Sequence, residues 1–337
     1  HPDWLTITPV HDTIPGRSSR SVAFTVSNTL PLGTVTATIN AMTQSGTMAL
    51  PVLVTINKTG DDQGGNITQT IPIRKGWSWF SLNVDVGARP IDSVLISLRD
   101  SGTTGDMIIG LGGSSLFSSA TNSWTGDLAT IIPGKSYRLH RANGGSLAVP
   151  GIPVNPSMPI PLVPGWNFVG YLPVSTIGAS QALASLGPTG SSRDVIKDVS
   201  GSLIYFPADS TWYGTIPQLE PGRGYRLRRA NAGTLTYVNG GSSAPRAKGT
   251  IMHQASVTGS SYQVDGSQYS YSMTVAASLA IGNGVAGGPH DMILAYAGSE
   301  LRGAAAFVSV GSLGQYRDMI TIHSNSIAGE TITFRLA

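Results

Sequence analysis

The stretch Pro133-Gly134-Lys135-Ser136-Tyr137-Arg138-Leu139-His140-Arg141-Ala142-Asn143 returns 88 residues later as Pro221-Gly222-Arg223-Gly224-Tyr225-Arg226-Leu227-Arg228-Arg229-Ala230-Asn231. Working outward, Trp124 matches Trp212, Gly126 matches Gly214, Asp106 matches Asp194 and Leu147 matches Leu235 at the same offset. Each copy opens on a Gly-Trp pair, Gly76-Trp77-Ser78-Trp79-Phe80 or Gly165-Trp166-Asn167-Phe168. So long a period, kept at Trp, Gly and Pro, indicates a duplicated domain rather than a solenoid. Within each copy the closing segment, Tyr137–His140 or Tyr225–Arg228, alternates apolar and basic residues as a strand does. Ile91, Val94, Leu95 and Leu98, with their counterparts Ala179, Ala182, Leu183 and Leu186, have the spacing of one buried face of a short helix.

Composition sets the frame. Only 12% of the 337 residues are charged, Gly is abundant at 42 and Pro at 21, while 40% are hydrophobic. This profile suits folded domains of short strands and tight turns. A net charge of +3 is too small to suggest a nucleic-acid partner, which requires a concentrated basic face. The absence of Cys fits a cytosolic protein or an exported bacterial one that needs no disulfides. His1 in place of Met suggests a processed N-terminus, and with no run of 18 apolar residues no membrane span is expected.

Ahead of the repeats, residues 1–57 predict four strands, Trp4–Thr8, Val22–Ser27, Val35–Asn40 and Ala49–Ile56. The pattern Trp4-Leu5-Thr6-Ile7-Thr8-Pro9, Ile14-Pro15-Gly16 and Gly33–Ile39 resembles the later half of bacterial Ig-like modules of the BACON kind. The Gly-Trp, Trp-x-Gly and Pro-Gly-(Lys/Arg)-x-Tyr-x-Leu signatures over 72–240 resemble a repeat of large secreted bacterial surface proteins. Asp291–Ala304 with Gly329–Arg335 resembles a β-sandwich that often follows such repeats. The expected fold is mainly β and multi-domain. Ig-like β-sandwich modules flank two duplicated β-rich units, each with a short helix. The boundaries are 1–57 for the partial Ig-like module, 70–150 and 160–240 for the Gly-Trp units, and 250–337 for the C-terminal sandwich. Asn57–Gln69 and Gly240–Gly249 read as linkers, and the proline-dense Val149–Pro156 as a stiff spacer.

Signals for chemistry are sparse. Gly134-Lys135-Ser136 lacks the earlier Gly of a phosphate-binding loop and runs into a strand, so a turn is expected. Gly282-x-Gly284-x-x-Gly287 precedes a strand pattern rather than a helix, which makes it a hairpin loop and not a dinucleotide fingerprint. The six His residues are scattered, the acidic pair Asp61-Asp62 lacks the spacing of a calcium loop, and no cofactor or metal is expected. Contact residues are therefore sought among cations and aromatics. Arg138 and Arg141, with Arg226, Arg228 and Arg229, form a basic stripe in each copy. A solvated strand face is the plain reading; contact with an anionic polysaccharide or another subunit is the sharper one. Trp124 and Trp212 suit packing of a small core or stacking on a sugar ring. Glu300 and Arg302, two apart on a strand, share a face as an ion pair or a partner patch. Trp77 and Trp166 are expected in equivalent buried positions.

The resemblances imply an extracellular protein of the bacterial surface without catalysis. The leading expectation is a structural or adhesive subunit whose incomplete N-terminal module takes a strand from another copy, giving a homopolymeric filament. The alternative is a set of accessory glycan-binding domains from a larger secreted hydrolase.

Overall fold

The computed structural model describes residues 66–237, 262–281, 284–288 and 290–337, and the backbone of four strands ahead of them. Of the Asn57–Gln69 linker reading, 59–65 with Asp61-Asp62 lie outside the described residues, while its two ends are corrected to strand, in Met48–Lys58 and Ile67–Ile73; the Gly240–Gly249 linker also lies outside them. The protein is mainly β, built from antiparallel sheets with short helical turns. Among the described residues no helix is long and apolar enough to cross a membrane. Tertiary contacts divide the chain into an N-terminal unit, His1–Asn66, and a main unit, Ile67–Ala337.

In the N-terminal unit the four expected strands form, and they pair two by two. Leu5–Thr8 runs antiparallel to Ala23–Val26, and Gly33–Met42 antiparallel to Met48–Lys58. The alternation of Thr34, Thr36 and Thr38 with Val35, Ala37 and Ile39 is the two-residue period that a pleated strand imposes.

The two copies share one strand order. In the first, the opening strand Gly76–Ser81 lies beside the closing strand Ser136–Arg141, followed by Met107–Gly110, Gly113–Ser118 and Ser123–Gly126. In the second the same positions are held by Gly165–Gly170, Gly224–Arg229, Val195–Lys197, Ser202–Phe206 and Thr211–Gly214. The inner face of each sheet meets the expected helical turn, whose Ile91, Val94, Leu95 and Leu98, or Ala179, Ala182, Leu183 and Leu186, are all buried. Regular helix covers only Ile91–Val94 and Ala179–Ala182, and each tightens into a 3-10 turn. The proline-dense segment corrects the spacer reading. Gly145–Pro153 is a strand paired with Ile67–Ile73, with Leu147 and Val149 in the core and Pro150 turned outward.

Backbones of the two copies dock reciprocally. The Gly170 amide donates to the Gly134 carbonyl at 3.0 Å, and the Ser81 amide, at the matching place, donates to the Gly222 carbonyl at 3.1 Å. Such exchange of equivalent groups marks an isologous contact. It requires close approach: a Cβ on Gly224 would lie 2.6 Å from the Phe80 carbonyl oxygen, and one on Gly170 2.8 Å from that of Lys135. Gly134 and Gly222, at φ of 78° and 79°, turn the chain into each closing strand, as expected of a turn rather than a phosphate loop.

The C-terminal region places two three-stranded sheets around a core of Ile293, Ala295, Ala305, Phe307, Ile320 and Ile322. Its longer strands are Tyr271–Ala277, Met292–Ala297, Glu300–Ala306, Gln315–Ser324 and Ile332–Leu336. Leu279–Ile281 and Gly284–Ala286 form the hairpin expected of the Gly282–Gly287 run. This region also seals the outer face of the second copy. Val308, Val310 and Met319 pack on Ile204, Phe206 and Tyr213, and the Ser202 and Thr321 hydroxyls lie 2.9 Å apart.

Candidate functional site

Strand parity sorts the basic stripe into two groups. Tyr137, Leu139 and Arg141 share one face of the closing strand, and that face is the core. Arg141 is therefore buried rather than displayed. Its Nε lies 3.1 Å from Asp106 Oδ2, while its Nη1 and Nη2 donate to the carbonyls of Leu98 and Ser101 at 3.0 and 2.8 Å. Arg229 repeats the arrangement, with Nη1 3.0 Å from Asp194 Oδ2 and Nη2 donating to Thr189 Oγ1 at 2.7 Å. Each carboxylate also accepts an amide hydrogen, from Ala142 or Ala230, at 2.7 Å. These ion pairs fasten the closing strand to the loop behind the helical turn, so Arg141 is not a partner contact.

The tryptophans of the Trp-x-Gly turns are core residues as well. Trp124 packs against Phe117 with ring centroids 5.3 Å apart, and Trp212 against Tyr205 at 5.2 Å. Exposures of 3% and 6% leave neither ring for a sugar. Arg302 is likewise spent internally. It pairs with Glu300 at 3.4 Å, as their shared face requires, but also with Glu330 at 2.8 Å, and its guanidinium lies over Tyr269. This internal network removes Arg302 from the partner-patch reading, while Glu300 stays exposed.

On the opposite parity the arginines behave differently. Arg138 reaches out of the first sheet, 4.2 Å from the Trp77 ring centroid and 5.5 Å from that of Trp79. Arg226 does the same in the second, 4.9 Å from Trp166 and 5.1 Å from Phe168. Arg228 is exposed, and its Nη1 donates to the Arg193 carbonyl at 3.5 Å. A third cation, missed by the sequence reading, completes the group. Lys197 stands opposite Arg226 in the strand register, and its Nζ lies 5.2 Å from the same Trp166 ring. A signal was present: Lys197 occupies the position held by Ile109 in the first copy.

The C-terminal region covers part of this cluster. Arg138 Nη2 donates to the Ser270 carbonyl at 2.8 Å, Lys197 Nζ to that of Ser272 at 2.8 Å, and Trp77 Nε1 to Ser270 Oγ at 3.3 Å. That cover separates the two opening tryptophans, expected to be equivalent. Trp77 is 7% exposed and Trp166 38%, because both lie on the outer face and only Trp77 has the 266–270 turn above it. Trp166→Ala is accordingly expected to cost about 1 kcal/mol, a lost cation–π contact and some area, rather than the roughly 3–5 kcal/mol of a buried aromatic. Urea denaturation of the variant measures the difference, and a loss above 3 kcal/mol would contradict the exposed placement.

Electrostatically the cluster is uncompensated. Among the described residues no carboxylate lies within ion-pair distance of Arg138, Lys197 or Arg226. Burial, then the Arg226 charge, pushes the Arg138 guanidinium down to about 10. Burial, then the charges of Arg226 and Arg138, pushes the Lys197 ammonium down to about 8. Arg226 is lowered by burial. A groove of about 240 Å³ lies nearby between the copies, but its Arg223 is already held by Asp198 at 3.1 Å and Glu220 at 2.8 Å. Neither a protein-family model, nor a curated protein, nor a solved structure matches the chain, and the resemblances drawn from its motifs stay expectations.

Proposed function

We propose that the chain is a non-catalytic structural and adhesive protein of the bacterial surface, polymerising head to tail by strand pairing at its N-terminal unit. The observation that carries this reading is a pair of open edges. Among the described residues Gly33–Met42 and Met48–Lys58, 10 and 11 residues long, pair only with each other. Strands with unpaired N–H and C=O groups invite addition of another chain. The partner edge is the last strand, Ile332–Leu336, of a second copy. It is not a free donor, since it already pairs with Met292–Ala297, but among the described residues its other side is an outer edge. Phe334 and Leu336 on it are 49% and 50% exposed.

A heterologous contact between two different edges gives an open filament if its rotation does not close. Replacing both Phe334 and Leu336 by Lys, a charge at an edge, is expected to abolish filaments in electron micrographs while leaving the monomer folded. Deleting residues 1–8 should act in the same direction. Unchanged filaments in both variants, or no filaments from the parent chain at any concentration, would refute the proposal.

A further inference from the structure

We infer that Arg138, Lys197 and Arg226 form an oxyanion-binding site at the junction of the two repeats and the C-terminal region, taking a sulfate or carboxylate group. The inference does not depend on filament formation. It rests first on an imbalance: three cations gather, partly covered, while the other buried cations among the described residues are each matched. Arg141 has Asp106, Arg229 has Asp194 and Arg302 has Glu330. Lys197 is only 7% exposed, so water does not substitute for a counter-ion there as it would on an open face.

The second observation is unspent hydrogen-bonding capacity. The Nε atoms of Arg138 and Arg226 are both buried without an acceptor. Arg226 makes no side-chain hydrogen bond among the described residues, although Arg138 and Lys197 each reach a C-terminal carbonyl. With Nε shut away from solvent, Arg226 offers its two terminal nitrogens, which reach no acceptor among the described residues, as the fork that fits two oxygens of one carboxylate or sulfate. The charges also lie on different elements, Arg138 on one repeat and Arg226 with Lys197 on the other. One bound anion would answer all three. Beside it the half-open Trp166 ring supplies a flat apolar wall, which suits an acidic sugar as the carrier of the anion.

The test uses the full chain and the variant Arg226→Gln, chosen because Arg226 holds no protein acceptor. Sodium sulfate is compared with sodium chloride at matched ionic strength by thermal unfolding. The parent protein is expected to gain roughly 3 °C at ten times the sulfate dissociation constant. Arg226→Gln should lose that gain and, with one repelling charge removed, melt no lower than the parent in chloride. Arg335→Gln, exposed on the last strand, alters net charge equally and should keep the gain. A second arm measures retention on a sulfated polysaccharide and on a polyuronate resin against neutral dextran. Retention by the parent and Arg335→Gln but not Arg226→Gln identifies a polysaccharide as the source. A sulfate response without such retention identifies a free anion. A parent indifferent to sulfate, or an Arg226→Gln variant that keeps the response, overturns the site.

Discussion

Arg229→Met is expected to destabilise the main unit by roughly 3–5 kcal/mol, and Arg141→Met by a similar amount. The reason is the state of the partner left behind. Asp194 and Asp106 are 0% and 2% exposed, so neither can recover its lost charge contact from solvent. Amides of Ala230 and Ser191 still donate to Asp194, at 2.7 and 3.0 Å, which holds the carboxylate in place rather than letting it swing outward. The Thr189 hydroxyl loses its donor in the same step, and the Thr189 carbonyl keeps only Asn231 Nδ2, at 3.4 Å. A surface arginine would cost a fraction of this, since exposed ion pairs contribute about 0–1 kcal/mol. The two pairs lie beside separate repeat cores with no shared partner, so the double variant should show nearly additive losses. Urea denaturation measures all three. A loss below 1 kcal/mol for Arg229→Met would mean that the pair is not the fastening described.

Stability of the main unit should pass through a minimum near pH 8, and Asp318→Asn should remove the fall leading into it. Asp318 is fully buried, and burial pushes its carboxyl up to about 8. The amides of Met319 and Ile293 favour the ionised form somewhat, but neither oxygen receives a well-formed hydrogen bond. Between about pH 4 and 8 the unfolded chain has released this proton and the folded one has not. The unfolded state then binds fewer protons, so stability falls as pH rises across that window and levels off above it. A separation of about four pH units corresponds to about 5 kcal/mol at most. His323 works the other way at the acid end. Burial lowers it to about 4, so its contribution is present above pH 6.5 and lost as pH falls toward 4. The two offset one another there, and the net decline becomes visible between pH 6.5 and 8. Above 8, Lys197 is neutral in the fold while the unfolded chain still holds its proton, and stability recovers toward pH 10.5. At pH 8 the Asn variant should be several kcal/mol more stable than the parent. Flat stability from pH 6.5 to 8, or an Asn variant no better than the parent at pH 8, would contradict this account.

What the sequence determined by itself was everything that repeats or alternates. The 88-residue offset established two copies of one fold, because Trp124 and Trp212 seal equivalent cores and Gly134 and Gly222 make equivalent turns. The helical faces of 91–98 and 179–186 were legible because a 3.6-residue period needs only local geometry. Burial of Arg141 follows from its shared parity with Tyr137 and Leu139, but the basic-stripe reading sets it beside Arg138 as a contact residue and the structure corrects it. Tertiary structure alone decided the rest. Trp77 and Trp166 have matching local sequence, yet only the first is covered, because the cover comes from residues nearly 200 positions further on. Arg138, Lys197 and Arg226 stand far apart in the chain and come together through a docking of backbones at Gly170 and Gly224. Spacing cannot announce that contact, since it depends on the absence of two Cβ atoms rather than on the presence of any side chain. Asp318 sits in a strand where alternation would accept it on either face, and the sheet packed against it, not its neighbours in sequence, left its carboxyl dry.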